Sequence, residues 1–248
     1  MKRLIFFFVF NGLTVIFIFG QRMETCPVSQ FTGIFASGTF EITVVKGNEE
    51  SLLLEADNDI MPYVHSKVKD GVLKLYFDKK IPEDMRYKTV KVNVVIKDLN
   101  KVFLSGRCML ISNDTFSPTK FKVMCSGHSV MMININTKQL DISVCGKNKI
   151  QINANVIDDT EVNMSGYSEV DLTGSTTNFK IDISGFSSVK AKDFIAKTAN
   201  INSSGTCNVN VNVTDVVKIN SSDTTTINYE EHHGLSIINQ STTKRQKK

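Results

Sequence analysis

Between Val102 and Tyr229 one phrase returns about every twenty residues: a small residue, a glycine, then a short alternating strand. The copies are Ser105-Gly106, Ser126-Gly127, Cys145-Gly146, Ser165-Gly166, Ser184-Gly185 and Ser204-Gly205, with a degenerate seventh at Ser221-Ser222. A fixed period of this length marks a solenoid, in which no repeat buries its apolar face alone and neighbours supply the core to one another.

Counting from each glycine sorts the residues into columns. Four positions on lie Leu110, Met131, Ile150, Val170, Val189 and Val209; four positions back lie Val102, Val123, Ile142, Val162, Ile181 and Ile201. Six positions on, the column is again mostly apolar, from Ile133 and Ile152 to Val211. The odd columns are polar or mixed, and the seventh position on (Asn113, Asn134, Asn153, Thr173, Lys192, Asn212) is almost purely polar. Period two on both sides of the glycine predicts a strand, a corner and a second strand. The glycine fits a corner with positive φ or close backbone packing, and the serine beside it can bond the local backbone. Two positions on, Cys108, Ser129, Asn148, Ser168, Ser187 and Cys207 form a small, mostly polar column that should point inward at the bend.

The fold expected is all-β: a single-stranded, right-handed parallel β-helix with turns of about 20 residues. Calcium-binding nonapeptide repeats require Gly-Gly-x-Gly-x-Asp, and leucine-rich repeats a leucine consensus; neither pattern occurs.

The flanks are less regular. Met1-Lys2-Arg3 followed by an apolar run to Phe19 has the anatomy of a secretory signal peptide, with cleavage after Gly20. An uncleaved anchor is the alternative, and the only membrane contact expected. The residues before Cys26 make a poor lipobox, so lipidation is not expected. A linker follows at 21–30. Residues 31–100 should be irregular turns of the same helix that also cap it, with Ser37-Gly38 opening the first. Strands are expected at Ser51–Glu55, Val72–Phe77 and Val90–Ile96, a short helical excursion within Asn58–Val68, a tight turn at Asp70-Gly71, and a loop over Lys79–Lys88. Regular repeats fill 101–229. Residues 230–248 form a C-terminal cap and a basic, solvated tail. The formal charge of +4 is too weak to imply nucleic acid.

The opening Phe31-Thr32-Gly33-Ile34, the Ser37-Gly38 turn, the Val68-Lys69-Asp70-Gly71-Val72-Leu73 hairpin, the serial Ser-Gly turns and the closing Ile227-Asn228-Tyr229 resemble the bacterial family named putative auto-transporter adhesin, head GIN domain. The resemblance runs from about Phe31 to Ile238. It implies a β-helical protein exported to the periplasm or outer surface of a Gram-negative cell, and it supplies no catalytic residues. This chain departs from the pattern in having Cys145 for serine and in losing the last glycine at Ser222, which should loosen the final turn.

Several constellations invite chemistry. Cys26, Cys108, Cys125, Cys145 and Cys207 are an odd set. Cys108 and Cys207 share a column but lie five turns apart, about 24 Å, beyond the roughly 7 Å that a disulfide spans between Cα atoms. Cys125 and Cys145 fall in adjacent turns with opposite side-chain directions. The repeat cysteines therefore read as small core or corner residues. No Cys-x-x-Cys is present, and His232-His233 fits no ligand spacing, so no metal and no cofactor is expected. Five positions before the glycine, Asp141 and Glu161 should stack one strand apart, a spacing that suits a retaining glycosidase. The plainer account is a surface ladder with Lys122 and Lys180 neutralising the two acids.

One position after the glycine, Arg107, His128, Lys147, Tyr167 and Phe186 form a basic and aromatic file on an outward corner, suited to gripping a glycan or a partner. The expected function is an exported, non-enzymatic envelope protein making adhesion-like contact with a surface glycan or another envelope protein through this file. The alternatives are a polysaccharide lyase or hydrolase using Asp141 and Glu161, and a self-associating structural spacer.

Overall fold

The computed structural model describes residues 7–10, 13–18, 20–230 and 232–239. The basic opening Met1–Arg3 and the basic tail from Ser241 onward lie outside the described residues. The strands in chain order are β1 (Phe7–Phe10), β2 (Leu13–Ile18), β3 (Gln21–Cys26), β4 (Gly33–Lys46), β5 (Ser51–Asp57), β6 (Val64–Lys69), β7 (Val72–Phe77), β8 (Val90–Ile96), β9 (Lys101–Phe116), β10 (Lys120–Gly127), β11 (Val130–Gly146), β12 (Lys149–Gly166), β13 (Glu169–Gly185), β14 (Ser188–Gly205), β15 (Asn208–Ser221), β16 (Thr226–Tyr229) and β17 (Ser236–Asn239). They wind into a parallel β-solenoid of about seven turns.

The repeat columns are the rungs of this solenoid. Strands β9 to β15 pair in parallel, each with the next turn. The apolar columns four positions either side of the glycine are wholly buried, from Val102 and Leu110 to Ile201 and Val209. Burying a Val, Leu or Ile side chain contributes about 1.5–3 kcal/mol, so these two files, with the buried phenylalanines Phe121, Phe179 and Phe194, hold the stack together.

The glycine corner is the tightest part. Gly127 and Gly166 have φ of +82° and +88°. A Cβ on Gly127 would lie 2.7 Å from the carbonyl oxygen of Gly106, and one on Gly166 would lie 2.7 Å from that of Gly146. The glycine is therefore required twice, by backbone angle and by the rung before it. The next rung uses the same carbonyls: His128, Lys147 and Tyr167 donate their N–H groups to Gly106, Gly127 and Gly146 at 2.7 Å. The inward column two positions on completes the pairing. The Ser168 hydroxyl donates to the Gly146 carbonyl at 3.1 Å, that of Ser187 to Gly166 at 3.2 Å, and the Asn148 amide to Cys145 at 2.7 Å. The polar residues of this column are buried and hydrogen-bonded, as buried polar groups must be.

The opposite corner absorbs the length differences. Gly106 to Gly127 spans 21 residues and Gly127 to Gly146 spans 19. The register shifts fall in the second strand and at the far corner: between Met132 and Asn134, Thr137 and Gln139, Asn155 and Asp159, Asp171 and Gly174, Ala191 and Ile195, and Ala196 and Thr198. Lys192 therefore drops out of the polar file in which the sequence columns place it. In the last turn Ser221 pairs with Ser203, so the serine column falls to Ser222 rather than to Ser221, and the glycine position to Asp223 rather than to Ser222. Asp223 takes φ +62°, and its carboxylate accepts the Gly205 N–H at 3.0 Å. The turn is closed by this bond rather than simply loosened.

The N-terminal cap departs most from expectation. β4 lies in register with β9, Gly38 beside Gly106, and on its other side pairs in parallel with β7 and β8. Beyond β8 the sheet turns antiparallel through β5, β3, β2 and β1. The helical excursion expected within Asn58–Val68 is one 3-10 turn, Met61–Tyr63, followed by β6, which forms an antiparallel hairpin with β7. Asp70 and Gly71 make its turn with φ of +53° and +68°, the backbone twist that short hairpins favour. The expected loop over Lys79–Lys88 contains a second 3-10 turn, Glu83–Tyr87. At the C-terminal end β16 and β17 pair with β15.

Gly127→Ala should lower stability by about 2–4 kcal/mol through left-handed strain plus displacement of the neighbouring rung, read as a shift in the urea midpoint. Gly234→Ala is the comparison: φ is +90° but the added Cβ meets nothing within 4 Å, so only the strain remains, about 1 kcal/mol. The cysteines give a second check. Cys108 and Cys125 are buried, and burial pushes their thiols up to about 11 and about 12, whereas Cys145 is exposed. At about pH 8 iodoacetamide should modify Cys145 first, and Cys108 and Cys125 only after denaturation, as read by peptide mass spectrometry.

Candidate functional site

Outward positions on either side of the glycine corner make two features, one expected and one not. The expected feature is the file at Arg107, His128, Lys147, Tyr167 and Phe186. The rung-to-rung bonds at the corner set these residues one above another, and all five are exposed. The rings of Tyr167 and Phe186, 65% and 59% exposed, lie parallel with centroids 5.1 Å apart. Each covers one face of the other, so the pair presents ring edges and two outer faces. Arg107 is already engaged. Its guanidinium sits 5.3 Å from the centre of the Tyr87 ring, and the Arg86 carbonyl accepts the Thr39 hydroxyl at 2.9 Å. The Glu83–Tyr87 turn thus docks on the N-terminal end of the file.

The unexpected feature is a groove on the other side of the glycine. Its volume is about 950 Å³. It runs along the solenoid axis across eight rungs, from Phe35 to Asn220 and Ser222, about 34 Å at one strand spacing per rung. Its floor is the serine column (Ser105, Ser126, Cys145, Ser165, Ser184 and Ser204), with the edges of the mostly apolar column before it, from Leu104 to Ile183, beside the serines. Beside the floor runs the outward column three positions before the glycine. Phe35, Phe103, Met124, Ser143, Asn163, Asp182, Asn202 and Asn220 are cross-strand partners in that order. The groove is concave here because the floor side chains are small while their neighbours are not. Sequence reasoning gave these serines only a local backbone role. The available signal was the absence of any large residue from an outward column through six copies.

The charged column forms a second, smaller groove of about 580 Å³, lined by Asp141, Glu161 and Lys180 among others. Asp141 and Glu161 are cross-strand partners, as their spacing predicts. Their cations differ in part from expectation. Asp141 is held by Lys120 at 2.8 Å, not by Lys122. Lys122 is the direct cross-strand partner of Asp141, whereas Lys120, two residues back on the same face, reaches the carboxylate diagonally. Lys180 does bridge Glu161 at 2.8 Å and also Asp182 at 3.1 Å. The Lys180 hydrogen bond, with help from the Asn163 amide, holds the Glu161 carboxyl below its ordinary range.

His232 bonds Asn212 at 2.7 Å and His65 lies 3.2 Å from Asp78. Among the described residues no group of three or more His, Cys, Asp or Glu side chains is placed to hold a metal ion, and no helix is long and apolar enough to cross a membrane.

Lys180→Met should raise the pH at which Glu161 titrates, towards its ordinary value, in a carboxyl-observed NMR titration. Because folding holds this carboxyl low, its contribution is present above the ordinary carboxyl range and is lost as pH falls through the folded value. The variant's stability should therefore vary less with pH in the acid range, by a small margin because the pair is half exposed.

The family model described as putative auto-transporter adhesin, head GIN domain, matches residues 30–232. Among solved structures, the putative lipid binding protein of Parabacteroides distasonis superposes with a TM-score of 0.75 at 16% identity, covering 92% of this chain and 97% of its own. A putative adhesin of the same organism superposes at 0.73 and 17% identity, with 92% and 94% covered. A putative adhesin of Parabacteroides merdae superposes at 0.67 and 17% identity, with 92% of each chain covered. At these identities the likeness is one of fold. No curated protein matches the chain. With the repeat, the glycine corner and most of the chain matched, this protein belongs to the family of the putative auto-transporter adhesin, head GIN domain.

Proposed function

We propose that this chain is an exported, non-enzymatic protein of the cell envelope that holds an extended glycan along the glycine corner, in the groove and against the aromatic file beside it. One observation carries the reading: the groove continues over eight rungs without a change of register, and the exposed Tyr167 and Phe186 rings stand two residues away across the glycine. Concave sites with a few convergent polar groups are where ligands bind, and exposed aromatic pairs are where partners gain most. Family membership supports an adhesion-like role and export. The basic-then-apolar opening up to Gly20 supports export through a cleaved signal peptide.

The enzyme reading has less behind it. A glycosidase needs one carboxylic acid kept protonated near neutral pH. Glu161 is shifted the other way, and both acids are tied to lysines at 2.8 Å.

The test is incubation of the purified chain with neutral and charged polysaccharides, recording both retention and chain shortening. Retention without shortening is expected, with Tyr167→Ala/Phe186→Ala weakening it about tenfold or more. Shortening abolished by Asp141→Ala or Glu161→Ala would overturn the proposal in favour of an enzyme. Absence of both would turn the search to an envelope protein partner or to lateral self-assembly.

A further inference from the structure

The groove is not uniform along its length. At its N-terminal end the outward column presents Phe35, Phe103 and Met124 on three successive rungs, with Met124 43% exposed. Outward strand positions are ordinarily polar, and clustered exposed apolar side chains mark contact surfaces. From Asn163 onward the same column is amide and carboxylate, with Asn202 and Asn220 over a floor of serine hydroxyls. The lining carries one charge, Asp182, and that charge is spent internally: it pairs with Lys180 at 3.1 Å and accepts the Asn202 amide at 2.7 Å. An anionic ligand would therefore find no cation in the groove.

We infer, on the reading of the groove as a binding site, that it takes an uncharged amphiphile in one direction, an alkyl chain over the N-terminal rungs and a hydroxylated sugar head over the C-terminal rungs. The apolar stretch covers about 10 Å of axis, enough for one alkyl chain and not for a membrane surface. The amides and hydroxyls beyond it repeat at about 4.8 Å, offering donors and acceptors to successive sugar hydroxyls. The small floor lets a chain lie close to the backbone. The occupant is a single glycolipid-type molecule bound from the aqueous phase.

Cys145 reports on occupancy without any substitution, because its exposed thiol lies in the floor where the two halves meet. The rate of its alkylation by iodoacetamide is measured in the full chain with octyl β-glucoside below its micelle-forming concentration, methyl β-glucoside, octyl sulfate, or a neutral oligosaccharide. Half-buried Cys26 is the internal control. Saturable protection by octyl β-glucoside is expected, at a half-saturation at least tenfold lower than that of either methyl β-glucoside or octyl sulfate. Phe103→Ser should raise that value at least tenfold, and Met124→Ser, at a more exposed position, does the same if the first variant folds poorly. Equal protection by the oligosaccharide or methyl β-glucoside would leave the groove a glycan site and overturn the amphiphile. Equal protection by octyl sulfate would overturn the uncharged head. No protection of Cys145 by any of the four would remove the groove as a binding site altogether.

Discussion

Everything in this protein rests on one backbone against another at the glycine corner. The carbonyls of Gly106, Gly127, Gly146, Gly166 and Gly185 each accept an N–H from the next rung, and no Cβ fits between successive glycines. That contact sets the rung spacing and aligns the columns on both sides. The buried valines and isoleucines stack because the corner holds them in register, and the inward polar residues are satisfied by corner carbonyls: Ser168, Ser187 and Thr225 donate to those of Gly146, Gly166 and Gly205, and Asn148 to that of Cys145. Hydrophobic burial supplies most of the cohesion, but it is non-directional, and the corner is what turns it into a stack with one register.

The outward columns inherit that order. A residue one position before the glycine always meets its counterpart one rung away, so a small residue there becomes a continuous floor. A residue one position after becomes a ridge. The charged column further back becomes a ladder of ion pairs that neutralises itself. These three surfaces differ in chemistry but share one geometric origin. On the proposed reading of them as a binding surface, their continuity suits an extended ligand better than a compact one.

The core columns were readable from the sequence because period two is unambiguous once a glycine marks the origin. The inward corner column and the exposed file from Arg107 to Phe186 followed from the same count, and the turn at Asp70-Gly71 from its own Asp-Gly signal. What escaped lay where the count has no origin. The N-terminal cap has no repeat, so nothing local distinguishes antiparallel β5 and β6 from further parallel turns. Asp223 escaped because a residue other than glycine took the left-handed position. Lys120 escaped because a long side chain reaches diagonally, past its cross-strand neighbour. The groove escaped for a different reason: alternation tells which residues face out, but not where the outer surface is hollow. That depends on the relative size of adjacent columns, here serine beside phenylalanine, methionine and asparagine.

The register shifts all fall away from the columns next to the glycine, and this has a consequence for how such a molecule can vary. A turn may be 19 or 21 residues long and still present the same five or six residues around the glycine. Duplicating or deleting a whole turn would lengthen or shorten the groove by one strand spacing, about 4.8 Å, and leave its cross-section unchanged. Reach is then quantised in this architecture, while the chemistry at each step is set independently by one outward side chain per turn. A change in the length of this surface and a change in its polarity are separate mutational events.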